Sequence, residues 1–529
     1  MTWTGFVLFL IAAAVFTEFA IYFRRAEPIL RKRVIQTLAM RYDSRVELDT
    51  FTVSVWRGFE VIGGGLKLYP NHLDVQQPLI AADKFSFRTT WRDLLRTPMH
   101  IGVVRVFGLT IALPPKGQRS SIADFDLGVS AHSKIEILVD RLDINHASLI
   151  LGTSKPGKVP LDFEISSLRL TSVGAGQPLR FHAILVNPKP IGNIDSTGFF
   201  GPFNEHSPAD TPVSGTYSFS HADLGPLKGI AGILSSTGRY EGTLNNITVD
   251  GETDTPDFSL DTAQHPVPLH TKFHAIVDGT NGDTYLLPVE ADLLHSHIVA
   301  RGDVVTVPGH GHEITLDVIA QPARIEDMLR LGVKTLPPAM TGALVLRTKL
   351  HLPPGKESVT QRLHLQGYFD ITVARFTDPK VQEKIDDLSL RGQGHAEEAK
   401  QIAAQGTNTN VASDMQGNFT LGGEKVTITD LRYRVPGADI TLNGTYSLDG
   451  DELDFHGKAR LQAKVSQMVT GWKSILLKPV DPFFSKNGAG TEVPVEITGT
   501  RSDLHFGLDF HHGDKARDGH EIPKGNRVP

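Results

Sequence analysis

Residues 451–465 read DELDFHGKARLQAKV. Apolar side chains fall on Leu453, Phe455, Ala459, Leu461, Ala463 and Val465, and polar ones on Asp454, His456, Lys458, Arg460, Gln462 and Lys464. A period of two marks a strand with one apolar and one wet face, because successive side chains of a pleated backbone point to opposite sides. The alternation recurs at Val267, Leu269, Phe273, Ala275 and Val277, and again at Leu363, Leu365, Gly367, Phe369, Ile371 and Val373. In two places the apolar parity switches within a run. Val46 and Leu48 give way to Phe51, Val53 and Val55, and Leu161, Phe163 and Ile165 give way to Leu168 and Leu170. Each switch predicts a bulge or kink. The expected fold is mainly β: a long antiparallel sheet with one apolar face and a few short helices, a sheet that must curl on itself, stack as a sandwich or hold lipid.

Helices are expected at 28–40, 91–96, 222–233, 323–332, 379–387 and 466–477, too few to cover the apolar face of such a sheet. The stretch 392–412 reads as loop, and the polar tail 513–529 as disordered. A loose Gly-x-aromatic-x-aliphatic pattern recurs as GTYSF at 215–219, GYFDI at 367–371, GNFTL at 417–421 and GTYSL at 444–448. Glycine there permits a close approach of backbone or ring.

The chain has 529 residues, enough for about three domains or one long continuous architecture. Lys plus Arg is 53 against 59 for Asp plus Glu, a net charge of −6, which argues against a nucleic-acid partner. There is no Cys, so disulfide frameworks, thiolate metal sites and cysteine nucleophiles are excluded.

Residues 3–23 read WTGFVLFLIAAAVFTEFAIYF, with Glu18 as the sole charge. They are long enough to cross a bilayer at 1.5 Å per residue. Trp3, Phe6, Leu8, Leu10, Phe16, Phe19, Tyr22 and Phe23 supply the anchor's large apolar and interfacial side chains. Arg24, Arg25, Arg31, Lys32 and Arg33 follow and are candidates for headgroup contact. Counted literally, these cations place the following domain in the cytoplasm. Read as part of an amphipathic helix with Leu30, Val34 and Leu38 on one face, they lie on a membrane surface instead. Composition leaves the two open.

No nucleophile elbow, P-loop, zincin helix or dinucleotide fingerprint occurs. His295 with His297 and His310 with His312 share strand parity, but no third ligand follows from spacing, and they read as surface residues. DGTNGD at 278–283 reads as a hairpin turn. The acidic pairs Asp386–Asp387 and Glu397–Glu398 diverge in direction, so they make poor acid–base pairs. No enzyme activity and no cofactor are expected.

Near the N-terminus the anchor and helix are followed by RVELDTFTVSVWRGFEVIGGGLKLYP at 45–70 and PLIAADKFSFRTTWRDLLRTPMHIGVVRVFGLTIALPP at 78–115. The far end carries GKARLQAKVSQMVTGWKSILLKPVDPFFSKNGAGTEVPVEITGTRSDLHFGLDF at 457–510. These segments resemble the two ends of the AsmA-like family of bacterial envelope proteins, itself similar to the chorein-type, bridge-like lipid-transfer proteins. The chain departs from the family in carrying its cations behind the anchor, and Arg501-Ser502-Asp503 after the last Gly-Thr.

The resemblance implies a long twisted antiparallel β-sheet curled into an apolar groove, with an anchor at 1–25, a chorein-like helix and strands at 26–115, a β-groove body at 116–465 and a closing segment at 466–512. It also implies a single-pass inner-membrane protein with its body in the periplasm, moving phospholipid in support of outer-membrane biogenesis. An outer-membrane or periplasmic protein would then stand at its distal end. Candidate lipid contacts are Leu363, Leu365, Phe369, Ile371, Val373, Leu453, Phe455 and Leu461. Two other readings stay open: a membrane-tethered scaffold or assembly factor with a dry β-sandwich core, and an envelope hydrolase or glycan-binding enzyme.

Overall fold

In the computed structural model, the alternating stretch around Phe455 forms a strand with Phe455, Ala459 and Leu461 buried and Asp454, Lys458 and Arg460 exposed. The structure describes residues 28–40, 43–54, 58–71, 77–94, 96, 99–114, 137–152, 160–174, 176–204, 207–405, 409–447, 452–469, 491–500 and 503–507. The anchor at 1–25 and the tail at 513–529 lie outside them. Among the described residues no helix is long and apolar enough to cross a membrane.

The chain is mainly β and folds into two compact units. Unit 1 holds β1 (Ser44–Glu47), β2 (Thr50–Ser54), β3 (Phe59–Pro70), β4 (Ile80–Thr89), β5 (Met99–Leu113), β6 (Ile137–Leu151), β7 (Leu161–Gly174), β8 (Leu179–Pro188), β9 (Ile191–Phe200) and β10 (Pro212–Asp223). It also holds helices α1 (28–40) and α2 (Trp91–Leu94). After β11 (Ile230–Ala231), the strands β12 (Ile233–Thr243), β13 (Asn246–Leu260) and β14 (Val267–Val277) have residues in both units.

Unit 2 continues with β15 (Thr284–Leu293), β16 (Ser296–Val307), β17 (Gly311–Arg324), β18 (Met340–Leu352), β19 (His364–Phe376), β20 (Ser413–Gly422), β21 (Lys425–Val435), β22 (Ala438–Ser447), β23 (Glu452–Leu461), β24 (Thr491–Thr500) and β25 (Asp503–Gly507). Its helices are α3 (Ile325–Gly332), α4 (Val359–Arg362), α5 (Pro379–Gly392) and α6 (Ala396–Gln405).

Pairing in unit 1 runs from β3, which holds both β1 and β2, through β4 to β10 in order. In unit 2 it runs in order from β15 to β25, antiparallel throughout. Among the described residues no pairing joins the first strand of either run to its last, so neither closes into a barrel.

One pair corrects the expectation of an antiparallel sheet. β5 and β6 run parallel, with Val104 opposite Leu142 and Ile111 opposite Leu149. The chain between them, 114–136, has the length a parallel crossover needs.

Both parity switches have structural causes. At 161–170 a bulge in β7 places Ser167 opposite Ile184 directly after Ile165 opposite Leu185. At 46–53 the run breaks into β1 and β2 at Asp49, whose N–H donates to the Gly64 carbonyl at 3.0 Å. The Asp49 carboxylate lies close to Gly65, whose φ of 68° is left-handed and favours glycine.

The helices expected near 28–40, 91–96, 323–332 and 379–387 form, the last running on to Gly392. The helix expected at 222–233 does not. Gly225, Pro226, Gly229 and Gly232 interrupt it, and the segment makes turns and the two-residue β11. Of 466–477 only a short 3-10 turn at Val465–Gln467 lies among the described helical residues. The stretch expected as loop at 392–412 contains α6, an alanine-rich helix that buries Ala396 and Ala399.

Candidate functional site

Cross-strand pairing sets which side chains line each face, because a register fixes every alternate residue at once. In unit 1 one row reads Phe85, Val106, Ile144, Leu168, Ala183, Ser196 and Tyr217 from β4 to β10. A second reads Phe87, Val104, Leu142, Leu170, Phe181, Gly198 and Gly215. A third includes Ile80, Ile111, Leu149 and Phe163. No charged residue falls in these rows. Apart from Ile144 and Gly198 their members are only partly buried. The opposite face carries ion pairs, Arg169 with Asp143 at 3.0 Å, Arg88 with Glu60 at 2.8 Å and His182 with Asp195 at 2.9 Å, among which Ile62, Phe107, Ile184 and Phe199 stand exposed.

At the β10 end this apolar face becomes Gly- and Tyr-rich. The Tyr240 hydroxyl meets Ser196 Oγ at 2.8 Å, and the Tyr217 hydroxyl meets Ser236 Oγ at 3.1 Å. Burial raises the pKa of both phenols, the serine hydrogen bonds opposing it.

Unit 2 carries a second apolar face, and here the burial is graded along the strands. Leu344, Ile371, Met415, Tyr433, Ile440 and Ala459 form a fully buried row. Ile385 of α5 joins their cluster, with Leu388 and with Ile325 and Met328 of α3 packed against it. Farther along the same strands, Leu316, Leu350, Leu365, Leu421, Val426, Tyr446 and Leu453 are opposite one another and only partly buried.

Of the residues singled out from the sequence, Leu365, Phe369, Ile371, Leu453, Phe455 and Leu461 share this face. Ile371 and Leu461 are each 3% exposed and Phe455 is 7% exposed, inside the packed cluster and not along an open seam. Leu365, Phe369 and Leu453 are partly buried. Val373 is not on the face: a bulge between Ile371 and Ala374 gives it a φ of 55° and leaves it 52% exposed. Leu363 ends α4, its N–H donating to the Val359 carbonyl at 2.9 Å.

The sequence reading passed over the apolar rows of unit 1. The signal was present at Phe163, Leu168 and Leu170, but the bulge at Ile165 and Ser167 splits it into two short runs of opposite parity.

Trp3, Phe6, Leu8, Leu10, Phe16, Phe19, Tyr22, Phe23, Arg24 and Arg25 lie outside the described residues. On α1, Arg31 donates to the Leu48 carbonyl, which turns its guanidinium toward the protein, while Lys32 and Arg33 are exposed.

The histidines are dispersed. His297 pairs with Asp292 at 2.8 Å, His310 Nδ1 meets the Pro308 carbonyl at 2.9 Å, and His295 and His312 are exposed. Among the described residues no three potential ligands converge on a metal position. Asp278 and Asp283 shape their turn, accepting hydrogen bonds from the N–H groups of Thr280 and Thr306 at 2.9 and 2.7 Å. Asp386 is buried within α5, and Asp387 pairs with Arg391 at 2.8 Å. No family model, no curated protein and no solved structure matches the chain.

Proposed function

We propose that the chain is an AsmA-like envelope protein that binds phospholipid acyl chains along the apolar face of unit 1 and passes them on in support of outer-membrane biogenesis. In this reading residues 1–25 anchor it in a bacterial inner membrane, its body lies in the periplasm, and a protein of the outer membrane or periplasm receives the lipid. It is not an enzyme and needs neither a cofactor nor a nucleic acid. One observation carries the reading: the rows through Leu168, Leu170 and Phe163 are continuous across β4 to β10, uncharged and, Ile144 and Gly198 apart, only partly buried. An apolar stripe of that extent on a soluble surface normally has an occupant.

A diazirine-bearing residue placed at Phe163 of the full chain, irradiated in cells, tests it. Capture of phospholipid is the expected result; capture of protein alone, or of nothing, would overturn it. The scaffold reading, with a dry core and no lipid transport, has its own support in the packed cluster around Phe455, Ile371 and Leu461. We assign that cluster to structure and the open rows to lipid.

A further inference from the structure

At the packed end of unit 2, Ile385 and Leu388 of α5 lie in and against the buried cluster. This helix enters between β19 and β20, and it is fastened at each successive turn. Gln382, 2% exposed, donates from Nε2 to Asp386 Oδ1 at 2.8 Å and to the Val411 carbonyl at 3.0 Å, and accepts from the Phe376 N–H at 2.9 Å. Asp386, 3% exposed, accepts from the N–H groups of Val411 and Asn410 at 2.9 and 3.0 Å. Ser389 donates to the Pro436 carbonyl at 2.8 Å, and Arg391 to the Met468 carbonyl at 3.0 Å. At the helix end Gly392 lies so near Gly437 that a Cβ on it would fall 2.6 Å from the Gly437 oxygen. Buried carboxylate and amide groups satisfied in this way fix a segment, since each broken contact would strand a polar group. A movable lid would rest on exposed or apolar contacts.

Beyond the packed end, the partly buried row on the same face crosses nine strands, from Gly302 of β16 to Gly499 of β24. At about 4.8 Å per strand that is a lane of about 40 Å. It carries no charge, and the hydroxyl of Tyr446 is its one side-chain polar group. The backbone of these strands is committed to the ladder. A peptide laid along the lane would leave its own N–H and C=O groups without partners, at a cost of a few kcal/mol for each group. A hydrocarbon chain incurs no such cost. One leaflet's acyl layer is about 15 Å deep, half of a ~30 Å hydrocarbon core, so the lane has room for two chains end to end.

We infer that the α5–α6 hairpin is a fixed stopper that makes the apolar face of unit 2 blind at one end, and that within unit 2 phospholipid acyl chains occupy only the lane through Leu350, Leu365, Leu421, Val426, Tyr446 and Leu453. The inference rests on the lipid reading above and limits where it holds.

Two positions on one strand decide it. Tyr446 lies in the lane and Ile440 lies beneath the stopper, six residues apart on β22. A diazirine-bearing residue is placed at each in the full chain, with Phe163 as reference, and irradiated in cells. The expected result is phospholipid captured at Tyr446 at least about ten times more than at Ile440. Equal or greater capture at Ile440 would overturn the stopper. Capture at Phe163 with none at Tyr446 would overturn the lane while leaving lipid binding by unit 1 intact. Absence of capture at all three would overturn lipid binding itself and the inference with it.

Discussion

The phenol ring of Tyr240 lies over Gly215, so close that a Cβ on Gly215 would fall 2.7 Å from the Tyr240 hydroxyl oxygen. The arrangement is reciprocal, because a Cβ on Gly238 would meet Tyr217 Cε1 at 2.7 Å. Two Gly-x-Tyr segments thus run past each other, each tyrosine covering the other's glycine. The same device joins Phe455 to Gly444 and, less tightly, Phe369 to Gly417. It gives the Gly-x-aromatic repeat a physical meaning: glycine opens a slot in the pleat that a ring from the next strand fills. Gly367 departs from it, facing Thr348 instead of a ring.

Gly215→Ala must then push aside the Tyr240 ring or the Thr197 carbonyl beside it. Overpacking of this kind costs about 1–3 kcal/mol. Denaturant unfolding of the variant should show a lower midpoint with an unchanged slope. Gly282→Ala should cost less by overpacking, since nothing lies within 4 Å of its Cβ position, although its φ of 87° adds backbone strain.

Phe455 and Phe163 should respond differently to a carboxylate. Phe455→Glu buries an unpaired charge in a packed cluster and should cost several kcal/mol, enough to remove the protein from membranes by degradation. Phe163→Glu stands on a partly buried face, so the chain should accumulate near normally and fail to maintain the envelope barrier. Immunoblotting with a detergent-sensitivity assay reads both. Normal accumulation of Phe455→Glu would show that its surroundings are not a dry core.

Removing the acceptor that holds α5 should destabilise unit 2. Asp386→Ala leaves the Asn410 and Val411 N–H groups without their partner, a loss of about 2–6 kcal/mol at roughly 1–3 kcal/mol for each stranded group. Hydrogen exchange should then speed up in α5 and α6 before the β22 strand is affected. Exchange accelerated uniformly across the unit would show that α5 is not a separate fastening.

Tyr433 gives a pH signature. Its hydroxyl is buried without a well-formed hydrogen bond, and the nearby Ser413 hydroxyl donates to the Ala374 carbonyl at 3.3 Å. Burial, opposed by the nearby Ser413 hydroxyl and reinforced by the Asp386 carboxylate, pushes its pKa up to about 12. An unfolded tyrosine titrates near pH ~10. The stability linked to its protonated form is therefore complete below about pH 10 and is lost as pH rises through about 12. Tyr433→Phe should remove that alkaline loss and raise neutral-pH stability by up to about 1 kcal/mol. Identical stability–pH curves for the variant and the parent would refute it.

Sidedness follows from the proposed function and opposes the positive-inside count over Arg24, Arg25, Arg31, Lys32 and Arg33. Protease added to spheroplasts should digest the body. Protection until the inner membrane is lysed would place it in the cytoplasm.

The period of two around Leu453 and Phe455 was enough to specify strands, and the parity switches at Ser167 and Asp49 were enough to locate breaks, because side-chain direction on a strand is a local property. Helix propensity placed α1, α3 and the start of α5 in the same local way. Whether β5 and β6 run parallel was not legible, because it depends on where a crossover returns the chain. Nor could the sequence separate Ile371 from Leu365, which share one strand and one face. Their different burial comes from α5, held over the former by Gln382 and Asp386 through contacts with residues 24 to 29 positions away. Local alternation determined which side chains face inward; only the tertiary structure decided which of those are packed core and which stay partly exposed.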